Sequence, residues 1–267
     1  MTEMDILIVE QKGAARVLTL NRPESLNALG GGLHSKVVDA LHEADEDDEA
    51  RVVVLTGAGR GFCSGGDIKG MYQSRVLKDD GPPPAPPANA GDSQGLVARV
   101  IRRIGTPVIA AVNGDAAGAG CDIALSCDIR IASERARFGE AFARIGLVPD
   151  NGGMYLLPRI VGAARASEMV LTADMIPVTE MSDWRIVNKI VPHDELLPAA
   201  LEMAERIGAN PSRALAMAKW GLQRAQHTDF EGSFDWVNYS MNILRASDEH
   251  KDAVKSFVEQ RAARRNK

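Results

Sequence analysis

Residues 107–133 read PVIAAVNGDAAGAGCDIALSCDIRIAS. The apolar, β-branched run at 107–112 is typical of a strand that is buried on both faces. Glycines then continue to Gly120, where a helix is predicted to begin, and a second strand is predicted at 128–133. This stretch therefore predicts a strand, a glycine loop, a helix and a further strand in direct succession.

The same order of elements occurs earlier in the chain. RVVVLTG (51–57) predicts a buried strand, and a glycine-rich loop leads from it to a helix start at DIKGMY (67–72). Two successive units of this kind indicate a stacked α/β arrangement. Upstream, residues 5–10 and 15–20 predict a β-hairpin, and apolar residues at helical spacing predict a helix over 33–44.

Two further regions complete the organisation of the chain. Residues 73–95 are rich in Pro, Gly and Ala, which predicts a flexible loop or a lid over a site. From about Pro192 onward the pattern is helical. We therefore divide the chain into a core, 1–195, and a C-terminal helical region, 196–267, which we expect to pack on the core or on another subunit.

The composition excludes several classes of protein. The 267 residues include 31 Lys and Arg against 36 Asp and Glu, a net charge of −5, which argues against nucleic acid or an anionic membrane as partner. No apolar run approaches the roughly 20 residues of a membrane span, and a secretory signal is missing, so we expect a cytoplasmic protein.

Three cysteines and five scattered histidines show no metal-ligand spacing, so no metal is expected. The basic cluster near the end of the chain fits either a helix end or contacts with ligand phosphates: Arg261, Arg264, Arg265 and Lys267.

The first glycine loop, GAGRGFCSGGDI (57–68), fits two known motifs incompletely. Phe62 occupies the third glycine position of a dinucleotide fingerprint, and also the first glycine position of a nucleophile elbow around Ser64. Glycines let a backbone approach a ligand, and a helix start leaves N–H groups without acceptors. Together with DAAGAGCDIA (115–124), this loop could supply two converging amide donors, as in an oxyanion hole. Tight turns without a ligand are the alternative.

An acidic residue, Asp150, lies in the stretch RIGLVPDNGG (144–153). Aspartate is a preferred N-cap residue, and a helix is predicted over 151–161. The residue could therefore cap that helix or carry protons in catalysis.

Several long motifs of the chain resemble those of the crotonase superfamily of enoyl-CoA hydratases and isomerases. They occur in the family's order and cover nearly the whole chain: LNRPESLNAL (20–29), GFCSGGDIKGM (61–71), GTPVIAAVNGDAAGAGCDIALSCDIRIAS (105–133), FGEAFARIGLVPDNGG (138–153) and FVEQR (257–261). The resemblance implies a spiral of stacked ββα units with a C-terminal helical region, assembled as a homotrimer or a dimer of trimers.

The resemblance also implies a ligand and the residues that bind it. The ligand is an acyl-CoA thioester, whose carbonyl oxygen lies between two backbone N–H groups that map onto Ser64 and Ala119. The segment Gly66, Asp67 and Ile68 resembles the stretch that receives the adenine of CoA. CoA belongs to the substrate, and no separate cofactor is implied.

The acidic positions distinguish the reactions of the family. Hydratases of the family use two glutamates, which here correspond to Asp122 and Phe142, and Phe142 cannot transfer a proton. Glu140 lies two residues from Phe142 but outside the family's catalytic position. Isomerases with a lone acid after a GL-x-P turn correspond better, with Asp150 as that acid, and GLVPDNGGMYLLPR resembles the phenylacetate type.

We therefore predict an enoyl-CoA isomerase that stabilises a thioester enolate, with Asp150 as the main acid and base. Asp122 is a candidate second acid, although a carboxylate in the first turn of a helix is also stabilised by the helix dipole without catalysis. A hydratase or dehydratase that uses Asp122 is the alternative enzyme. A weakly catalytic acyl-CoA binding protein is the alternative from another class.

Overall fold

The computed structural model describes residues 5–77 and 95–265, and this part of the chain forms strands and helices in alternation. The strands are β1 (Leu7–Lys12), β2 (Ala15–Leu20), β3 (Val52–Gly57), β4 (Gly61–Cys63), β5 (Val108–Val112), β6 (Asp115–Ala117), β7 (Ile129–Ser133), β8 (Arg137–Gly139), β9 (Ile176–Pro177) and β10 (Lys189–Val191). The α-helices are α1 (Leu33–Glu46), α2 (Ile68–Met71), α3 (Leu96–Arg103), α4 (Ala119–Ser126), α5 (Gly153–Val161), α6 (Ala163–Thr172), α7 (Leu196–Gly208), α8 (Ser212–Arg224), α9 (Phe230–Arg245) and α10 (Asp248–Arg265). The predicted hairpin and the helix predicted over 33–44 are confirmed.

A six-stranded sheet with the order β1-β2-β3-β5-β7-β10 forms the base of the core. Only β1 and β2 pair antiparallel in it. Along β3, Val52 and Val54 pack against α7, whereas Val53 and Leu55 face the larger cluster beneath the other helices. Both faces are covered, and for this reason the strand is apolar at consecutive positions rather than at alternate ones.

A second sheet of very short strands, in the order β4-β6-β8-β9, determines where the functional loops lie. Each of β3, β5 and β7 in the large sheet is followed by β4, β6 or β8 in the small one, and then by a helix, which confirms the predicted α/β stack. The three short strands are parallel. Their carboxyl ends therefore share one edge, from which Ser64, Gly118 and Glu140 follow directly.

The segment predicted as a flexible loop, 73–95, differs from the prediction at both described ends. Residues Tyr72–Val76 continue α2 as a helical turn, which is closed by the Leu77 N–H donating to the Tyr72 carbonyl, and Gly95 caps α3 with a left-handed backbone. Residues 78–94, to which the rest of that prediction applies, lie outside the described part of the chain.

The C-terminal helices differ in how they meet the core. α7 covers the large sheet with Leu196, Ala200 and Ala204, which share one helical face. α8 is held by Lys219, whose Nζ lies 2.9 Å from both Asp128 Oδ2 and the Thr106 carbonyl oxygen. Beyond α7, many apolar side chains are exposed: Leu222, Phe230, Phe234, Val237, Tyr239, Met241, Val254, Phe257 and Val258.

Within the described residues, no helix is both long and apolar enough to span a membrane.

Candidate active site

A cavity of about 340 Å³ opens at the edge shared by the short strands. Its lining joins segments that are far apart in the chain: the stretch that leads into α1, the loop after β4 with α2, the N-cap of α3, the start of α4, the 3-10 helix Ala141–Ile145, and the turn before α5. The residues that line it are mostly small or apolar: Leu29, His34, Ser64, Gly66, Ile68, Met71, Gly95, Gly118, Ala119, Ala141, Phe142, Arg144, Ile145, Leu147, Asp150 and Asn151.

The two glycine loops converge at the wall of this cavity, to which both contribute residues. Gly65 has φ +90°, and a Cβ built on it would lie 2.8 Å from the Ala117 carbonyl oxygen and 3.0 Å from the Ala119 nitrogen. Only glycine permits this backbone to approach so closely at a positive φ. The predicted pairing of the loops is therefore present, and it depends on a residue without a side chain.

Of the two predicted backbone donors at this point, one is without an acceptor and the other is engaged. The N–H of Ala119 is the first of α4, and no acceptor among the described residues meets it. The N–H of Ser64, in contrast, donates to the Leu26 carbonyl at 2.9 Å. The Ser64 N–H is thus already engaged in this structure, and its role as the second donor stays a prediction. The N–H of Gly66, two residues later in the cavity wall, has no acceptor within the described part of the chain.

The side chains of the first loop have structural partners. Ser64 Oγ donates to the Ser25 carbonyl at 3.1 Å, and among the described residues no histidine is hydrogen-bonded to it, unlike the serine of a nucleophile elbow. Asp67 caps α2 by accepting from the Gly70 N–H at 3.0 Å. Of the segment predicted to meet adenine, Gly66 and Ile68 line the cavity, whereas the Asp67 carboxylate faces away toward Gly30 and Arg22.

Asp150 lies exposed in the cavity wall and does not cap a helix. The helix α5 begins at Gly153, and its N-cap is Gly152 with φ +101°. The interpretation of Asp150 as the N-cap is therefore wrong, because the chain needs two more residues to turn into the helix. Its Oδ1 accepts a hydrogen bond from Asn151 Nδ2 at 2.6 Å.

Phe142 lies where the resemblance puts the second glutamate of a hydratase. It is nearly buried in the cavity wall, and its ring lies against Gly118, within 3.6 Å of where a Cβ would be. The wall at this position is therefore apolar and carries no group that could transfer a proton.

Asp122 and Glu140 lie beneath the cavity wall, not in it. Both are fully buried. Asp122 Oδ2 accepts from the Asn151 N–H at 2.9 Å, which ties α4 to the turn before α5. Burial raises the pKa of Asp122 to about 6. Burial, together with the nearby Asp122 charge, raises the pKa of Glu140 to about 9. Asp122 accepts a backbone N–H bond, which favours its ionised form, whereas neither oxygen of Glu140 meets a donor among the described residues, so a proton retained by the pair belongs on Glu140.

The sequence of the chain matches a known protein family. The family described as enoyl-CoA hydratase/isomerase matches residues 10–266. The chain belongs to this enoyl-CoA hydratase/isomerase family. The predicted resemblance to the crotonase superfamily is thereby confirmed.

Named relatives of this enoyl-CoA hydratase/isomerase family member include both reaction types. Short-chain-enoyl-CoA hydratase of Clostridium acetobutylicum is 35% identical over 260 residues, 97% of each chain. The 1,2-epoxyphenylacetyl-CoA isomerase of Escherichia coli K12 is 32% identical over 259 residues, again 97% of each. Among solved structures, an enoyl-CoA hydratase from Bacillus anthracis has a TM-score of 0.87 at 28% identity, covering 96% of this chain and 97% of that one.

Two features of this family member were not predicted from its sequence. That the Gly66 N–H has no acceptor among the described residues cannot be predicted from the residue type, because it depends on which groups lie near it in the folded chain. Glu140 directly follows a short buried strand, which is a weak sign of burial. No group of three or more His, Cys, Asp or Glu suited to a metal ion occurs in the described ranges.

Proposed function

We propose that this protein is an enoyl-CoA isomerase that moves the double bond of a 3-enoyl-CoA from C3 to C2. One observation carries the proposal: of the described residues that line the cavity, Asp150 is the one that bears a carboxyl group. Hydration in this family uses two carboxyl groups, but Phe142 occupies one position and Asp122 is buried behind the wall. A 1,3-proton shift needs only one carboxylate.

In the proposed reaction, the thioester carbonyl oxygen accepts hydrogen bonds from the N–H groups of Ala119 and Gly66. These donors stabilise the charge that develops on the oxygen when a proton leaves C2. Asp150 takes that proton, the electron pair delocalises over a dienolate, and Asp150 returns the proton to C4. The double bond then lies between C2 and C3. The shift is redox-neutral, and CoA enters only as part of the substrate.

A panel of acyl-CoA substrates tests this function directly. We expect 3-enoyl-CoA thioesters to be converted to conjugated 2-enoyl-CoA, followed by ultraviolet absorbance, while 2-enoyl-CoA gains little or no water. Calorimetry with acetyl-CoA, which cannot isomerise, should show saturable binding. Faster hydration of 2-enoyl-CoA than isomerisation would favour the hydratase that uses Asp122. Saturable binding without turnover of either substrate would favour an acyl-CoA binding protein.

We further propose that the chain assembles as a homotrimer or a dimer of trimers through its C-terminal region, 196–267. The support is the row of exposed apolar side chains on α8–α10, since large apolar patches are rare on monomers. We expect light scattering to give three or six times the chain mass of 28.6 kDa. Leu222→Arg on α8 should weaken the assembly, whereas Leu171→Arg on α6, with similar exposure, serves as control. A monomer at micromolar concentration would contradict this proposal.

A further inference from the structure

Glu140 is a buried acid that the proposed reaction does not use. It follows β8 directly and is fully buried, and neither of its carboxyl oxygens makes a hydrogen bond of good geometry with a described residue. Asp122 Oδ1, on α4, is in the same condition. A Cβ built on Gly153 would touch Asp122 Oδ1 and lie 3.0 Å from Glu140 Oε1. The two oxygens therefore converge on one point, beside the first residue of α5.

The surroundings of this pair do not balance two negative charges. Neither carboxyl forms an ion pair with any residue in the described ranges. The charged groups that act on Glu140 are Asp122 and Asp150, both acidic, and the neighbouring titratable group on α4 is the Cys121 thiol, itself kept neutral because burial raises its pKa. Two uncompensated charges in an apolar interior cost far more than one shared proton. The pair therefore retains a proton.

The pair is connected to the proposed base through a short chain of hydrogen bonds. Asp122 Oδ2 accepts from the Asn151 N–H at 2.9 Å, and Asn151 Nδ2 donates to Asp150 Oδ1 at 2.6 Å. A carboxylate acceptor makes a stronger bond to a backbone N–H than a neutral acid does. The Asn151 N–H bond is therefore stronger when the proton of the pair is on Glu140 than when it is on Asp122, and this difference affects how firmly the 150–151 turn is held.

We propose that Glu140 is a positioning residue for proton transfer at Asp150. As an uncharged acid it donates a hydrogen bond to Asp122 and adds no second charge, so that the Asp122 carboxylate stays in place and fixes the turn that carries Asp150. This inference rests on the proposed function for the role of Asp150. The high pKa of Glu140, caused by burial and by Asp122, agrees with it.

Infrared difference spectroscopy tests for the shared proton without reference to activity. We expect the wild-type protein at neutral pH to show the C=O stretch of a protonated carboxylic acid that is missing from Glu140→Gln. Glu134→Gln, an exposed glutamate in the same region, is the matched control and should leave the band unchanged. A band that persists in Glu140→Gln, or is missing from the wild type, would overturn the inference.

Kinetics then test the positioning role. Glutamine keeps a neutral hydrogen-bond donor, so Glu140→Gln should retain kcat at both neutral and alkaline pH. In the wild type at alkaline pH, ionised Glu140 can no longer donate to Asp122 and repels its carboxylate, which weakens the Asp122–Asn151 bond and should lower kcat. Glu140→Leu removes the donor and should lower kcat by roughly 10- to 10²-fold, as small misplacements of a catalytic group do, with KM little changed.

The outcomes of the kinetic test separate this inference from the proposed function. Identical pH profiles of wild type and Glu140→Gln would overturn the positioning role, and this comparison suffices if Glu140→Leu fails to fold. A protein that shows the infrared band but no isomerase turnover would instead overturn the proposed function.

Discussion

Asp150→Asn is expected to lower isomerisation of 3-enoyl-CoA by about 10²–10⁴-fold, the usual contribution of general acid–base catalysis. An amide cannot take the C2 proton. The substitution should leave folding intact, because Asp150 does not cap α5 and its exposed side chain has one hydrogen-bond partner, Asn151. An asparagine oxygen can still accept that bond. The measurement is kcat at saturating substrate, with acetyl-CoA affinity by calorimetry as the test of an intact cavity.

Two further variants make the Asp150 result specific. Asp174→Asn removes a carboxylate at the surface, where it pairs with Arg144, and should leave kcat near the wild-type value. Asp122→Asn should cost less than Asp150→Asn, because Asp122 does not line the cavity. Turnover of Asp150→Asn close to that of the wild type would show that another group moves the proton.

Gly65→Ala is expected to lower kcat by about 10²–10³-fold, the loss usually seen when one oxyanion-hole donor is removed. The added methyl would press against the Ala117 carbonyl and the Ala119 nitrogen, which must move apart to admit it. The positive φ adds a backbone cost of order 1–3 kcal/mol in folding stability. Both kcat and the free energy of unfolding should be measured.

A matched glycine separates the two effects of Gly65→Ala. Gly162 has a similar φ of +82°, and a Cβ built on it would meet nothing within 4 Å. Gly162→Ala should therefore show the backbone cost alone, with unchanged kcat. Ser64→Ala should also retain activity, since its hydroxyl contacts the Ser25 carbonyl. Wild-type kcat in Gly65→Ala would refute the role of the converging loops.

The amino-acid sequence by itself determined the architecture and the family. The apolar runs of β3 and β5 require burial on both faces, and the glycines that follow them can be understood from residue type alone. The position of Asp150 after the Gly-Leu-Val-Pro turn is equally local. Strands of three residues such as β4, β6 and β8 escaped prediction, because their length is too short to produce a periodic pattern.

The tertiary structure alone decided which groups of the site are free and which are paired. The Ser64 N–H donates to the carbonyl of Leu26, nearly 40 residues earlier, whereas the Gly66 N–H has no acceptor among the described residues. Asp122 and Glu140 meet because α4 begins and β8 ends at the same edge, against Gly153. Hydrogen bonds and charge pairs depend on distances of a few ångströms between segments far apart in the chain. Residue type and spacing set which elements form, and only their packing sets these distances.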